Sequence, residues 1–148
     1  MIDYDDNYST CSKTSADFRI KHDLLDPNYI SQLLGLSPSW GGMKGDVWTG
    51  ISRPSRFGIW ALSTEGNVVS RDLRRHIDWL VGQLEGKESA LALLKEQDYS
   101  MDVFCNWIRL GGTGGPTLSP RNMGGLAVLG LELAFEFWSI NEQEDEED

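Results

Sequence analysis

SADFRIKHDLLDPNYISQLLGL, residues 15–36, decides the fold. Phe18 and Ile20 alternate with Arg19 and Lys21, the period of two that marks a strand with one buried face. Asp26-Pro27 then opens a helix. The aspartate accepts from the first free backbone N–H groups, and proline at the first helical position has no N–H to lose. Ile30, Leu33 and Leu34 form one apolar stripe, and Gly35 supplies the left-handed stop. A strand, a turn and a capped helix are thus laid down in succession, and the remaining apolar segments are read as packing on them.

Working outward, residues 37–55 carry Pro38, Gly41, Gly42, Gly45 and Pro54, which exclude a helix, and a short strand is expected around Asp46–Ile51. Phe57–Ser63 is apolar on both faces, as a central strand is. In the helix expected over Asp72–Leu84, residues Leu73, Ile77, Leu80 and Leu84 share one face. Gly86 interrupts it, and Ser89–Lys95 adds a shorter helix. Met101–Leu110 reads as a strand, followed by the glycine loop 111–115. Ser119-Pro120 repeats the capped start, with a helix over Pro120–Leu129 that stops at Gly130. In the last strand, Leu131–Trp138, Leu133, Phe135 and Phe137 lie on one side and Glu132 and Glu136 on the other.

This order predicts an α+β fold: a ferredoxin-like split βαββαβ unit extended by a further helix and strand. The sheet is five-stranded and mainly antiparallel, with the helices on one face. The expected organisation is a flexible acidic arm over residues 1–14, a single domain over 15–140 and an acidic tail over 141–148. Phe18, Ile20, Ile30, Leu34, Leu80, Leu133 and Phe135 are expected in the core. The other sheet face then presents Arg19, Lys21, Glu132, Glu136 and Trp138, with Trp60 among its rings.

Several of these blocks together resemble a known family. FRI, DPNYISQLLGLSPS, KGD, GIWALS and DLRRHIDWLVGQL are similar to the bacterial domain-of-unknown-function family 4279. The matching positions are Asp26, Pro27, Ile30, Leu33, Leu34, Gly35, Pro38, Lys44, Gly45, Trp60, Leu73 and Leu80. The resemblance runs from Ala16 to Trp138. It implies a fold and transfers no catalytic residues, because the family has no settled activity.

Charge narrows the partners. A formal charge of -10 argues against unspecific binding to nucleic acid or anionic lipid and favours basic proteins. It is also what solubility alone would select. No basic start precedes an apolar run, and no apolar stretch approaches about 18 residues, so a cytoplasmic location and no membrane contact are expected. Cys11 and Cys105 make no disulfide framework. His22 and His76 stand in no metal-ligand spacing, so neither a metal nor another cofactor is expected. His76, four residues after Asp72, reads as a helix-surface histidine. GGTGGPT lacks the order and the lysine of a phosphate loop, and its glycines read as conformational freedom.

No nucleophile and base can be paired, so the chain reads as non-catalytic, and two functions stay open. The first is a protein-binding module, in its sharpest form an immunity protein neutralising a basic toxin through Arg19, Lys21, Glu132, Glu136 and Trp138. The second is a small-molecule or anion-binding domain, or an enzyme, using the loop with Trp40, Lys44, Trp48, Arg53 and Arg56, where cations and tryptophans gather in an otherwise acidic chain. The oligomeric state is not legible from the residues.

Overall fold

The computed structural model describes residues 3–47 and 53–140. Its sheet has five strands: β1 (Cys11–His22), β2 (Trp40–Gly42), β3 (Gly58–Ser63), β4 (Ser100–Leu110) and β5 (Glu132–Ile140). They lie in the order β2-β3-β1-β4-β5. The first four are antiparallel and carry the neighbour order of the ferredoxin-like split unit; β5 joins β4 in parallel. Four helices complete the described residues: α1 (Pro27–Leu34), α2 (Leu73–Gln83), α3 (Glu88–Glu96) and α4 (Pro120–Leu129).

The caps form as the residue types require. Asp26 accepts from Asn28 N–H at the start of α1, and Gly35 ends that helix at φ 66°. Asp72 caps α2, and Ser119 with Asn122 forms a reciprocal capping box on α4. The apolar stripes of all four helices meet one sheet face. Ile30, Leu34, Leu73, Ile77, Leu80, Leu84, Leu91, Leu94, Leu126 and Leu129 form one buried cluster with Phe18, Ile20, Trp60, Leu62, Val103, Cys105 and Trp107. The helices therefore leave the opposite face uncovered. Leu133 and Phe135, expected in the core, pack at its margin and are only partly buried.

Four expectations need correction. Trp60 belongs to the helix-covered face: it is fully buried, stacks edge-on against Phe18 and donates to Ser31 Oγ at 3.0 Å. The ring on the open face at that end is Trp40. The short edge strand forms at Trp40–Gly42 and not over Asp46–Ile51; Asp46 and Val47 lie in an irregular loop, and the rest of that range falls outside the described residues. Pairing at Trp40–Gly42 depends on Gly41, where a Cβ would lie 2.4 Å from the Ile59 carbonyl oxygen.

The third correction concerns the amino-terminal arm. Cys11–Thr14 are strand residues, paired with β4, and Cys11 is fully buried. Before them, Tyr8 packs edge-on against Trp107 and its hydroxyl donates to the Gly115 carbonyl at 2.9 Å. The Tyr4 hydroxyl donates to Asp78 at 2.5 Å, and its ring lies under the Arg75 guanidinium. These two tyrosines lay the arm on the body. The acidic tail, 141–148, falls outside the described residues.

The fourth concerns His76, which is buried beneath the 64–71 turn and not on a helix surface. Its Nε2 sits 2.8 Å from the Ser70 carbonyl and its Nδ1 2.7 Å from Thr64 Oγ. A carbonyl only accepts, so Nε2 carries the ring proton and the neutral Nδ1 takes the Thr64 hydroxyl proton. The same Thr64 oxygen accepts from Ala16 N–H at 2.9 Å, which ties α2 to β1. Burial pushes the His76 pKa below its ordinary 6.5. Asp72 is occupied elsewhere, bonded to the Arg74 guanidinium and to the backbone N–H groups of Asp5 and Arg74.

Candidate functional site

Strand register arranges the uncovered face. Trp40 is opposite Ala61, Ala61 opposite Arg19, Arg19 opposite Asp102, and Asp102 opposite Glu132. These five residues cross the sheet in one row. A neighbouring row holds Gly42, Ile59, Lys21 and Ser100. Towards the other end of β4, Glu136 is opposite Asn106 and Trp138 opposite Ile108. Arg19, Lys21, Glu132, Glu136 and Trp138 thus share the open face, as the alternation implied. They do not form one cluster. With strands about 4.8 Å apart, Arg19 and Glu132 are separated by roughly 10 Å of backbone.

Arg19 and Lys21 instead belong with the glycine-rich loop. Residues 53–57 fold back over the β2–β3 end of this face. Their return is pinned by the Gly45 N–H to the Ser55 carbonyl at 2.9 Å and by the Ser55 N–H to the Asp46 carbonyl at 2.8 Å. The Ser55 hydroxyl also donates to the Phe57 carbonyl at 2.6 Å. The result is a cavity of about 350 Å³ bounded by Arg19, Lys21, Trp40, Arg53, Arg56 and Phe57, with buried Ile59 in its floor. The two residue sets that the sequence kept apart therefore meet at one place. Trp48, the remaining ring of the loop set, lies outside the described residues.

Each wall has an identifiable physical role. Trp40 Nε1 donates to the Asp17 carboxylate at 3.2 Å, which fixes the indole against the sheet. The Arg19 guanidinium is held by Asp102 through two bonds and lies over the Phe104 ring, 4.3 Å from its centroid. The Lys21 ammonium stands 5.3 Å from the Phe57 ring centroid. Partial burial, and then the like charge of Arg19, draw the Lys21 pKa below its ordinary value. Among the described residues, Lys21, Arg53 and Arg56 have no carboxylate within ion-pair distance.

A second, wider cavity of about 660 Å³ adjoins the first and shares Lys21 and Phe57 with it. Lys44 lines this one, not the first, and lies 3.8 Å from Asp23. His22 stacks on Tyr99 beside it. A concavity of about 490 Å³ on the amino-terminal side mixes charges, and its Lys13 is already paired with Glu65, so it offers no convergent set. The glycine loop turns its carbonyls inward: Arg109 Nε bonds the Gly114 carbonyl and Tyr8 the Gly115 carbonyl. No group of three or more metal-ligating side chains occurs among the described residues. No helix among them is long and apolar enough to cross a membrane. Both cysteines are buried free thiols.

The residues missed from sequence were Phe57, Asp102 and Phe104. Asp102 and Phe104 lie inside β4, and Phe57 immediately precedes β3. Phe57 heads FGIWALS, and Asp102 and Phe104 alternate with the buried Met101, Val103 and Cys105, so a period-two reading carried through β4 would have placed the latter pair.

The fold and the site define an α+β domain with one helix-covered sheet face and one open face, the latter carrying a cation-lined cavity under a loop. The chain belongs to the family described as a domain of unknown function (DUF4279), whose model matches residues 12–139. No curated protein and no solved structure matches it.

Proposed function

We propose that the domain is a non-catalytic binding module for an anionic ligand, received in the cavity between Trp40 and Arg56. One observation carries this reading. In a chain with formal charge -10, Arg19, Lys21, Arg53 and Arg56 all line the same cavity, and only Arg19 is matched by a carboxylate among the described residues. Arginine forks match carboxylate and phosphate oxygens, while Trp40, Phe57 and Ile59 offer apolar area to the body of the ligand. The test is thermal melting of the full chain with inorganic phosphate, citrate and benzoate against chloride at equal ionic strength. At least one of the three should raise the melting temperature progressively with the logarithm of its concentration, and the R53Q/R56Q double variant should abolish the rise. An equal rise in the double variant, or none with any anion, overturns the reading.

A second reading is favoured by the far edge of the sheet. There Phe137 and Trp138 are half-exposed on opposite faces of β5, beside Glu132 and Glu136. Such an acidic, aromatic edge suits a basic protein partner, and a toxin neutralised in the cytoplasm is the sharpest form of that idea. Association with such a partner should slow strongly as salt rises, and E132Q/E136Q should slow it likewise. Indifference to both removes this edge as the steering surface.

A further inference from the structure

We propose that Lys21 is a site of covalent imine formation with the carbonyl carbon of a 2-oxo acid, whose carboxylate is held by Arg53 and Arg56. This rests on the anion-binding reading above and adds a chemical class to it.

The geometry selects this lysine from the others. Lys13 is bonded to Glu65 at 2.8 Å, Lys44 faces Asp23, and Lys95 donates to the Gly130 carbonyl. Lys87 lines none of the cavities described above. Lys21 has no carboxylate within ion-pair distance among the described residues, stands where the two adjoining cavities meet, and has its ammonium set over Phe57. Asp23 and Asp98 line the wider cavity, and Asp102 is engaged by Arg19. An amine that is partly desolvated and next to another cation spends more of its time neutral, which is the nucleophilic form. The Asp102 charge and the Phe57 ring act the other way, by favouring the ammonium; burial is the largest influence on the amine.

The step is balanced without a further reagent. The neutral Nζ attacks the keto carbon, its lone pair forms the C–N bond, and the carbonyl π pair moves to oxygen. Proton transfer from nitrogen to oxygen gives a carbinolamine. Loss of that oxygen as water then leaves the C=N bond. Nothing is oxidised or reduced. Carboxylate binding at the arginines brings the keto carbon within reach of the amine and converts a bimolecular encounter into a local one.

The test uses the full chain with pyruvate and sodium cyanoborohydride, which traps an imine as a stable secondary amine, followed by peptide mass spectrometry at each lysine. Lys21 should label several-fold faster than Lys87, because the arginines hold pyruvate beside it and its partly buried amine is more often neutral. The rate should saturate with pyruvate, and R53Q/R56Q should lower it several-fold. With acetone, which lacks the carboxylate, the same double variant should lower Lys21 labelling much less than it does with pyruvate. Labelling of Lys21 no faster than that of Lys87 overturns the proposal, as does labelling by pyruvate that ignores the arginines. If anions still raise the melting temperature while Lys21 proves unreactive, the imine falls and the anion site stands.

Discussion

Arg19 and Asp102 face each other across β1 and β4, and the guanidinium holds the carboxylate through Nε at 2.9 Å and Nη2 at 2.7 Å. Their side chains are only 18% and 22% exposed, so the pair is shielded from the salt and water that weaken surface ion pairs. It stands between the cationic cavity and the acidic rim of β5, and fixes one wall of the cavity while drawing off part of its charge.

Removing the carboxylate should therefore act on stability and binding with opposite signs. Asp102→Asn keeps the shape, loses the charge-assisted bonds and leaves Arg19 a partly buried, under-partnered cation. A loss of about 1–3 kcal/mol is expected in urea unfolding. The cavity gains one uncompensated positive charge, so an anion that binds the native chain should bind the variant roughly threefold to tenfold tighter. Binding that weakens along with stability would mean that Arg19 serves the sheet and not the cavity.

The core makes a simpler claim. Leu34 is 2% exposed and Ile77 is fully buried in the cluster beneath the sheet. Leu34→Ala should cost roughly 2–5 kcal/mol, measured by the shift in urea midpoint at unchanged slope. Leu24, 82% exposed in the turn before α1, is the control, and its change to alanine should move stability by no more than about 0.5 kcal/mol.

Those two leucines also show what was legible in the residues. Leu34 is placed by a local signal: a capped start at Asp26-Pro27, an apolar stripe and a glycine stop, all within one helix. The alternation of β1 and β5 is equally local, and it put Arg19, Lys21, Glu132, Glu136 and Trp138 on the open face. Trp60 falls on the face opposite to the one expected because β3 is apolar on both sides, so periodicity cannot say which face meets the helices. The spacing of His76 four residues after Asp72 suggests a helix-surface position. Its burial arises from the 64–71 turn, which folds over α2 and supplies Thr64 and the Ser70 carbonyl from positions twelve and six residues away. The cavity was hidden for the same reason: Arg19 and Arg53 come together only when the loop returns over the sheet.

The amino-terminal segment should now be costly to disturb. Tyr8 joins Gly115 and Thr117 through its hydroxyl and packs its ring on the fully buried Trp107. Tyr8→Phe should cost about 0.5–1.5 kcal/mol, one hydrogen bond's net worth. Tyr8→Ala should cost roughly 1–3 kcal/mol, less than a fully buried ring because Tyr8 is only partly covered. Equal melting temperatures for wild type and Tyr8→Ala would show that the segment adds nothing to the body.

Acid sensitivity should trace to His76. Its ring is neutral and buried, with a proton on Nε2 for Ser70 and a free Nδ1 for Thr64. A second proton on Nδ1 would displace the Thr64 hydroxyl proton, and that oxygen already accepts from Ala16 N–H. The folded pKa is depressed, chiefly by burial; the Ser70 carbonyl, Asp72 and Asp6 offset this only in part, and the Arg75 charge adds to it. In the unfolded chain the ring takes up its proton near pH 6.5. Between that value and the lower folded one, the unfolded state binds more protons, so stability falls as pH falls. The contribution is complete above about pH 6.5 and declines progressively below it. The depressed pKa values of Asp6 and Asp72 act in the same direction but only below their ordinary 3.8, which separates the two effects. Melting curves should thus be level from pH 8 to 7 and drop from pH 6.5 towards 5. His76→Gln should be less stable at pH 7, through loss of a fitted partner for Thr64, and should lack the drop. A wild-type curve that stays level to pH 5, or a glutamine variant with the same drop, would move the acid-labile group elsewhere.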